Sequence, residues 1–253
     1  MFAKSAREAG VGRLVAAAFK NETEPALEEM VDVLGWFRVG QLNKMIKFFK
    51  KNEIEKAIMV GQIAPSNLFQ LRPDFRIIAL LARLKTRNAE TIFGGIADEM
   101  AKDGIELILA TSYLDDFLAP EGHICGPKLK DQQLLDSDFG YGIAKEVSRL
   151  DIGQTVVVKN GTVLAVEAFE GTNEAIKRGG KLGKGKAMLV KVSKPNQDLR
   201  FDVPCIGPAT IETAKEAGVT AIVVEAGKTL MLDRERVVEL CRKTKISVFG
   251  KTD

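Results

Sequence analysis

The stretch from Arg149 to Arg178 constrains the fold more than any other part of the chain. Two β-rich runs, Thr155–Val158 and Val163–Val166, flank Asn160-Gly161, and an Asn-Gly pair between strands signals a two-residue hairpin turn. The second run does not end in turn residues. It ends in Glu167, Glu170, Gly171 and Thr172, followed by a helix-like segment from Asn173 to Lys177. A strand-to-helix junction offers unpaired backbone N–H groups, and here it sets them beside two carboxylates, a place that suits a metal and a phosphate. The plainer reading stands next to it: Glu167 and Glu170 are solvated, and Thr172 or Asn173 only caps the helix.

What the chain lacks narrows the chemistry. It has one histidine, His123, and three widely spaced cysteines, Cys125, Cys205 and Cys241, with no C-x-x-C pair. Such thiols fit a reduced, cytoplasmic protein. One histidine argues against a zinc site of N/S ligands, and a Ser-His-Asp triad would have to use it. His123 lies in Pro120–Pro127, which reads as a linker, so its expected role is structural. A working metal must then be held by oxygen ligands, which points to Mg²⁺ or a similar hard cation such as Mn²⁺.

At 253 residues, 45% hydrophobic and 28% charged, the chain has the length for two ordinary domains and the composition of a soluble globular protein. A net charge of +3 from 37 basic and 34 acidic residues is close to balance. No basic cluster with interleaved aromatics appears, so no nucleic-acid partner is expected. No apolar run approaches the ~20 residues that span a bilayer, and the amino terminus lacks the layout of a signal peptide.

The first half alternates helix and strand. Helical patterns cover Phe2–Ala9, Leu42–Lys51, Ile77–Leu84 and Thr91–Lys102; apolar strands are expected at Leu14–Phe19, Ala57–Val60 and Ile105–Ala110, and a loop at Gly35–Gly40. This alternation predicts α/β architecture with a parallel sheet, whose ligands bind at the carboxyl ends of strands. Gly61-Gln62-Ile63, directly after a strand, is therefore a candidate wall of a site. Met1-Phe2-Ala3-Lys4 begins inside a helix with no strand or glycine-rich turn before it. A Rossmann-like first domain at 1–125 is thus expected to lack its usual first strand, either because the sheet starts one strand short or because the reading frame starts late.

Gly126–Gly142 reads as a loop-rich crossing into a second, mixed α/β domain at 126–253. Beyond the hairpin come a glycine- and lysine-rich run, Gly179–Lys186, and strands or helices at Ala187–Val192, Pro208–Ala217, Thr220–Val224, Thr229–Leu232, Arg234–Lys243 and Ile246–Phe249. Asp233 stands where a helix N-cap belongs. If the strands on either side of Glu225–Lys228 pair as a hairpin, Glu225 and Asp233 lie near one end of the sheet, two carboxylates for a hard cation.

Several motifs, in order, carry a resemblance. Leu150–Gln154, Leu164–Ala168 with Glu170-Gly171-Thr172, Lys194–Asp198, Arg200–Pro204, and Val224–Gly227 through Asp233-Arg234 together resemble the LpxI family, the UDP-2,3-diacylglucosamine pyrophosphatases of lipid A biosynthesis. Gly40-Gln41-Leu42, Gly61-Gln62-Ile63 and Asp98-Glu99 extend the likeness more loosely into the first half. The resemblance implies a cytoplasmic, Mg²⁺-dependent phosphohydrolase with two α/β domains and its substrate between them. It would release UMP and 2,3-diacylglucosamine 1-phosphate (lipid X), with peripheral contact at the inner membrane and a homo-oligomer left open. Asp233 matches the family's catalytic aspartate, and Glu225, Glu167, Glu170 and Thr172 match motif positions. On this reading Asp233 and Glu225 are catalytic, and Glu167 and Glu170 join them as metal ligands. Gly61, Gln62, Ile63, Gln154, Gly171, Thr172, Arg178 and Lys191 bind substrate. The family's opening strand and its Asp-Asp pair before the helix near Ala89 have no counterpart here.

Two other functions compete. A nucleotide-sugar or lipid binding protein of the same fold would need no turnover. A nicotinamide-dependent oxidoreductase would need a G-x-G-x-x-G after a strand, and Gly179-Gly180-Lys181-Leu182-Gly183 ends a helix instead of opening one.

Overall fold

A computed structural model describes residues 1–61, 73–195 and 197–252. The chain divides into two compact units, one of Met1–Leu114 with Asp198–Asp202, the other of Asp115–Gln197 with Val203–Asp253.

In the first unit, α1 (Phe2–Glu8) precedes β1 (Val15–Phe19), which pairs in parallel with β2 (Val33–Phe37). The loop expected at Gly35–Gly40 is therefore partly strand. Trp36 and Phe37 favour β structure, and Gly35 leaves the room that the Phe48 ring fills. The helix α2 (Leu42–Lys51) buries Leu42, Ile46 and Phe49 at helical spacing and turns its lysines outward. α3 (Phe75–Arg83) starts at Asp74, whose side chain accepts from the backbone of Arg76 and Ile77, and α4 (Ala89–Ala101) starts at Asn88. The strands expected at Ala57–Val60 and Ile105–Ala110 shrink to β3 (Lys56–Ala57) and β4 (Glu106–Leu107), which pair in parallel for two residues. Leu42, Ile46, Phe49, Ile77, Leu80, Met100 and Ile105 form the core. Asp198–Asp202 belongs here because Ala110 N–H donates to the Leu199 carbonyl at 2.8 Å and Phe201 packs on Phe93.

The second unit is built on a six-stranded mixed sheet. β5 (Gly122–Cys125) is its edge, so the segment read as a linker is a strand, antiparallel to β12 (Ser247–Lys251). Next come β10 (Val219–Glu225) and β8 (Ala187–Lys191), parallel to β12, and then the antiparallel hairpin β6 (Thr155–Lys159) and β7 (Thr162–Val166). Side chains alternate between the sheet's faces. Val156, Val158, Met188, Val190 and Val223 pack with Tyr141 and Ala144 of α5 (Asp131–Arg149). Val157, Leu189, Ile222, Val224 and Val248 pack on the other face with Ile176 of α6 (Thr172–Gly183), Ile211 of α7 (Pro208–Glu216) and Val237 of α8 (Arg234–Thr244).

The loop-rich crossing expected at Gly126–Gly142 is thus mostly helix. Its polar residues have tertiary uses. Buried Asp136 accepts from Asn160 N–H and Gly161 N–H, both at 2.8 Å, and so fastens α5 to the hairpin turn. Both turn residues have positive φ, as a two-residue hairpin needs.

Gly180 of α6 tests the packing against α7. A Cβ there would lie 2.1 Å from the Ala217 carbonyl oxygen, a backbone atom, whereas a Cβ at exposed Gly142 of α5 would meet nothing within 4 Å. Alanine gains up to about 1 kcal/mol over glycine in a helix, but overpacking against backbone costs about 1–3 kcal/mol. Gly142→Ala should therefore raise the urea midpoint and Gly180→Ala lower it. An upward shift for Gly180→Ala would show that α6 and α7 can part without cost.

Candidate active site

Three parallel strands end side by side, β8 on Lys191, β10 on Glu225 and β12 on Lys251. The register sets Glu225 opposite Lys251 and Lys191 opposite Val224. The carboxyl ends of parallel strands are where such sheets take ligands.

Glu225 is 2% exposed. Its Oε1 accepts from Lys145 Nζ at 3.0 Å and Lys228 Nζ at 2.7 Å, and its Oε2 accepts from the backbone N–H and the hydroxyl of Ser193, each at 2.7 Å. Burial alone would raise this carboxyl's pKa. Lys228, Ser193 and Lys145 outweigh burial and hold it at about 2. A carboxylate has roughly four acceptor positions, and these donors take all of them.

A second network joins the ends of β7 and β8 to the start of α6. Thr172, the first residue of α6, donates its hydroxyl to Glu167 Oε1 at 2.7 Å and accepts from Lys191 Nζ at 3.3 Å. Glu167 is buried, and its Oε2 has no hydrogen-bond partner among the described residues. Glu170 is used differently. It pairs with Arg178 and accepts from Ala168 N–H at 3.2 Å, while Arg178 also donates to the Val166 carbonyl at 2.8 Å. The backbone N–H of Glu170 itself and the Arg178 guanidinium hold the Glu170 carboxyl below its ordinary range. Gln154 stands beside the end of β8, its carbonyl accepting from Val192 N–H at 2.9 Å.

Asp233 caps α8, accepting from Arg236 N–H at 3.4 Å, and has the left-handed backbone φ of 48°. It does not follow a strand paired with β10. β11 (Leu230–Met231) pairs with β9 (Cys205–Ile206) in a separate two-stranded sheet, so the hairpin expected to bring Glu225 and Asp233 to one sheet end does not form. Residues 226–229 leave β10 through contacts of their own, Gly227 N–H to the Ala119 carbonyl and Ala226 N–H to the Lys251 carbonyl.

Among the described residues, no three of His, Cys, Asp and Glu gather closely enough to hold a metal ion. The set Glu167, Glu170, Glu225 and Asp233 is accordingly not assembled as a ligand cluster. The orphaned Glu167 Oε2 does fit a cation bound in the manner of Mg²⁺, which takes one or two protein carboxylates together with waters and substrate phosphates. Gly61 is exposed with positive φ; Gln62 and Ile63 lie outside the described residues. Lys145, Ser193, Lys228 and Lys251 were not singled out in the sequence. Lys228 carried a signal, three residues from Glu225 in a turn; Lys145 was hidden by reading the start of α5 as loop. A separate cavity of about 400 Å³ bordered by His123, Cys125 and Arg242 contains none of these residues. Among the described residues, no helix is long and apolar enough to cross a membrane.

The family model of the LpxI N-terminal domain matches residues 1–117, and that of the LpxI C-terminal domain matches residues 120–249. The chain is 32% identical over 223 residues to a protein of Caulobacter vibrioides named UDP-2,3-diacylglucosamine pyrophosphatase LpxI, covering 84% of this chain and 80% of that protein.

The Glu225 geometry predicts a pH dependence. A carboxyl held at about 2 in the folded chain, against an ordinary 4.5, contributes on the order of 3 kcal/mol at neutral pH. For a depressed pKa this contribution is present above 4.5 and is lost as pH falls through about 2. Glu225→Gln should unfold at lower urea than the parent at pH 7, and the two midpoints should converge as pH falls across that window. Parallel curves would deny the carboxylate this role.

Proposed function

The chain belongs to the LpxI family, and on that premise we propose that it hydrolyses the pyrophosphate of UDP-2,3-diacylglucosamine, giving UMP and 2,3-diacylglucosamine 1-phosphate in lipid A biosynthesis. The observation that carries the site assignment is the Lys191–Thr172–Glu167 network at the start of α6. It supports this reading because it holds the Lys191 ammonium beside the first N–H groups of α6, donors of the kind that receive a phosphate oxygen, while the one proton of the Thr172 hydroxyl is given to Glu167. Such donors, fixed before the reaction, stabilise the charge that gathers on a phosphoryl group in transit.

In this reading Glu225 is a positioning residue. It holds Lys145 and Lys228 in place at the end of β10, so that their charge faces the phosphates without reorganising when substrate arrives. Glu167 Oε2, with phosphate oxygens, would hold a divalent cation, Mg²⁺ or Mn²⁺, which when bound neutralises phosphate charge and acidifies bound water. Asp233 caps α8 and makes no hydrogen bond to this network among the described residues; the role of orienting the attacking water and taking its proton comes to it from the family resemblance alone. A cytoplasmic protein touching the inner membrane from its surface would meet such a lipid-linked substrate. A binding protein without turnover has no observation in its favour beyond the same site.

Two measurements test this. Turnover of the diacylated sugar nucleotide should vanish with a chelator and return with Mg²⁺; full activity in exhaustively metal-free protein would remove the cation. Asp233→Asn should lower kcat by orders of magnitude while leaving KM and the melting temperature nearly unchanged. Asparagine caps a helix as well as aspartate and is equally suited to the left-handed backbone. If Asp233 were only a cap, the variant would turn over normally.

A further inference from the structure

Phe169 is fully exposed, at 107% of its reference area, on a turn braced from both sides. Glu170 is tied to Arg178 and to Ala168 N–H, Arg178 holds the Val166 carbonyl, Gly171 N–H donates to the Ala168 carbonyl at 3.3 Å, and the Thr172 hydroxyl sits on Glu167. The turn is held in shape while its apolar tip has no cover. Gly153 lies against the Glu167 backbone, within 2.0 Å of the carbonyl oxygen for a Cβ built on it, which brings the neighbouring Ile152, 49% exposed, to the same edge of the sheet. Turns ordinarily carry Gly, Pro, Asn, Asp or Ser, and an aromatic left in water forgoes its burial energy.

Position relative to the phosphate network gives this side chain a partner. Phe169 is three residues from Thr172, so their Cα atoms are at most about 10–11 Å apart. In a 2,3-diacylated sugar 1-phosphate the acyl groups hang from the first and second ring carbons beyond the one that carries the phosphate. A phosphate held at Thr172 and Lys191 therefore brings the roots of the acyl chains beside this turn.

We propose that Phe169, with Ile152, is the contact for the acyl chains of the substrate; the inference rests on the diacyl sugar-nucleotide reading above. The occupant is the bound substrate's chains and not a membrane surface. An anionic leaflet attracts clusters of unpaired basic residues, whereas this turn carries Glu167 and Glu170, and its Arg178 is already paired.

The test compares the parent chain with Phe169→Ser and Phe169→Leu on two substrates in neutral detergent, the long-chain diacyl compound and its diacetyl analogue. Phe169→Ser should lower the ratio of long-chain to diacetyl kcat/KM by about tenfold or more, the size of losing one large apolar contact, mainly through KM. Phe169→Leu should restore most of the ratio. An unchanged ratio overturns the proposal, and it does so too if Phe169→Ser loses binding to anionic phospholipid vesicles, which would assign the turn to the membrane. A parent chain that hydrolyses neither substrate would instead bring down the reading of function, and this inference with it.

Discussion

A carboxylate taken out of water at the end of a strand costs several kcal/mol unless donors surround it, and Glu225 is met from three directions. Lys145 comes from α5, Ser193 from the chain leaving β8, and Lys228 from the turn after β10. One buried charge thereby fixes a helix, a strand end and a turn at the carboxyl edge of the sheet. The arrangement continues outward. Lys145 and Lys251 lie over the Tyr141 ring at 5.8 and 5.6 Å, and Lys251 also pairs with Asp138 of α5 at 2.8 Å. The position of α5 over the sheet and the direction of the lysines follow from the same contacts.

How much of this was legible in the sequence depended on how local each contact is. The Asn160-Gly161 hairpin, the cap role of Asp233 and the helical pattern of α2 were readable, because each depends on residues within one turn or one strand pair. The helix expected from Asn173 with Thr172 or Asn173 as its cap begins instead at Thr172, with Gly171 at the cap and no side-chain cap bond. The first part of α5 was not readable. Asp131, Asp136, Ser137 and Asp138 look like loop residues until their partners are known, and those partners include Asn160, Gly161 and Lys251. Expecting Glu225 and Asp233 to share a sheet end failed for a related reason. Proximity in sequence suggested that β10 and β11 form a hairpin, but β11 finds its hydrogen bonds on β9.

The same limit applies to the motif Arg200–Pro204. Read along the chain it belongs with the second domain, yet its first half is counted in the first unit, held by Leu199 to Ala110 and by Phe201 to Phe93. Asp198 and Arg200 make an ion pair inside that segment, so its charges are paired locally while its half-buried aromatic packs on a ring far away in sequence. No periodicity in a five-residue stretch could announce that.

The site itself divides into two electrostatic parts, and the division decides what a cation would add. Around Glu225 the acceptors are saturated, so this part presents fixed positive charge. Around Glu167 one buried acceptor is left over. A pyrophosphate diester brings two negative charges. Lysines answer them at once, but Lys191 shares its donors with Thr172, and Lys145 and Lys228 share theirs with Glu225. Fixed lysines therefore suit holding and orienting the phosphates more than creating a nucleophile, since none acidifies a water molecule. A cation at Glu167 Oε2 would supply that function and would satisfy the orphaned oxygen in the same step. The two carboxylates thus differ in what they can still accept: among the described residues Glu167 Oε2 has an acceptor position left, and Glu225 has none.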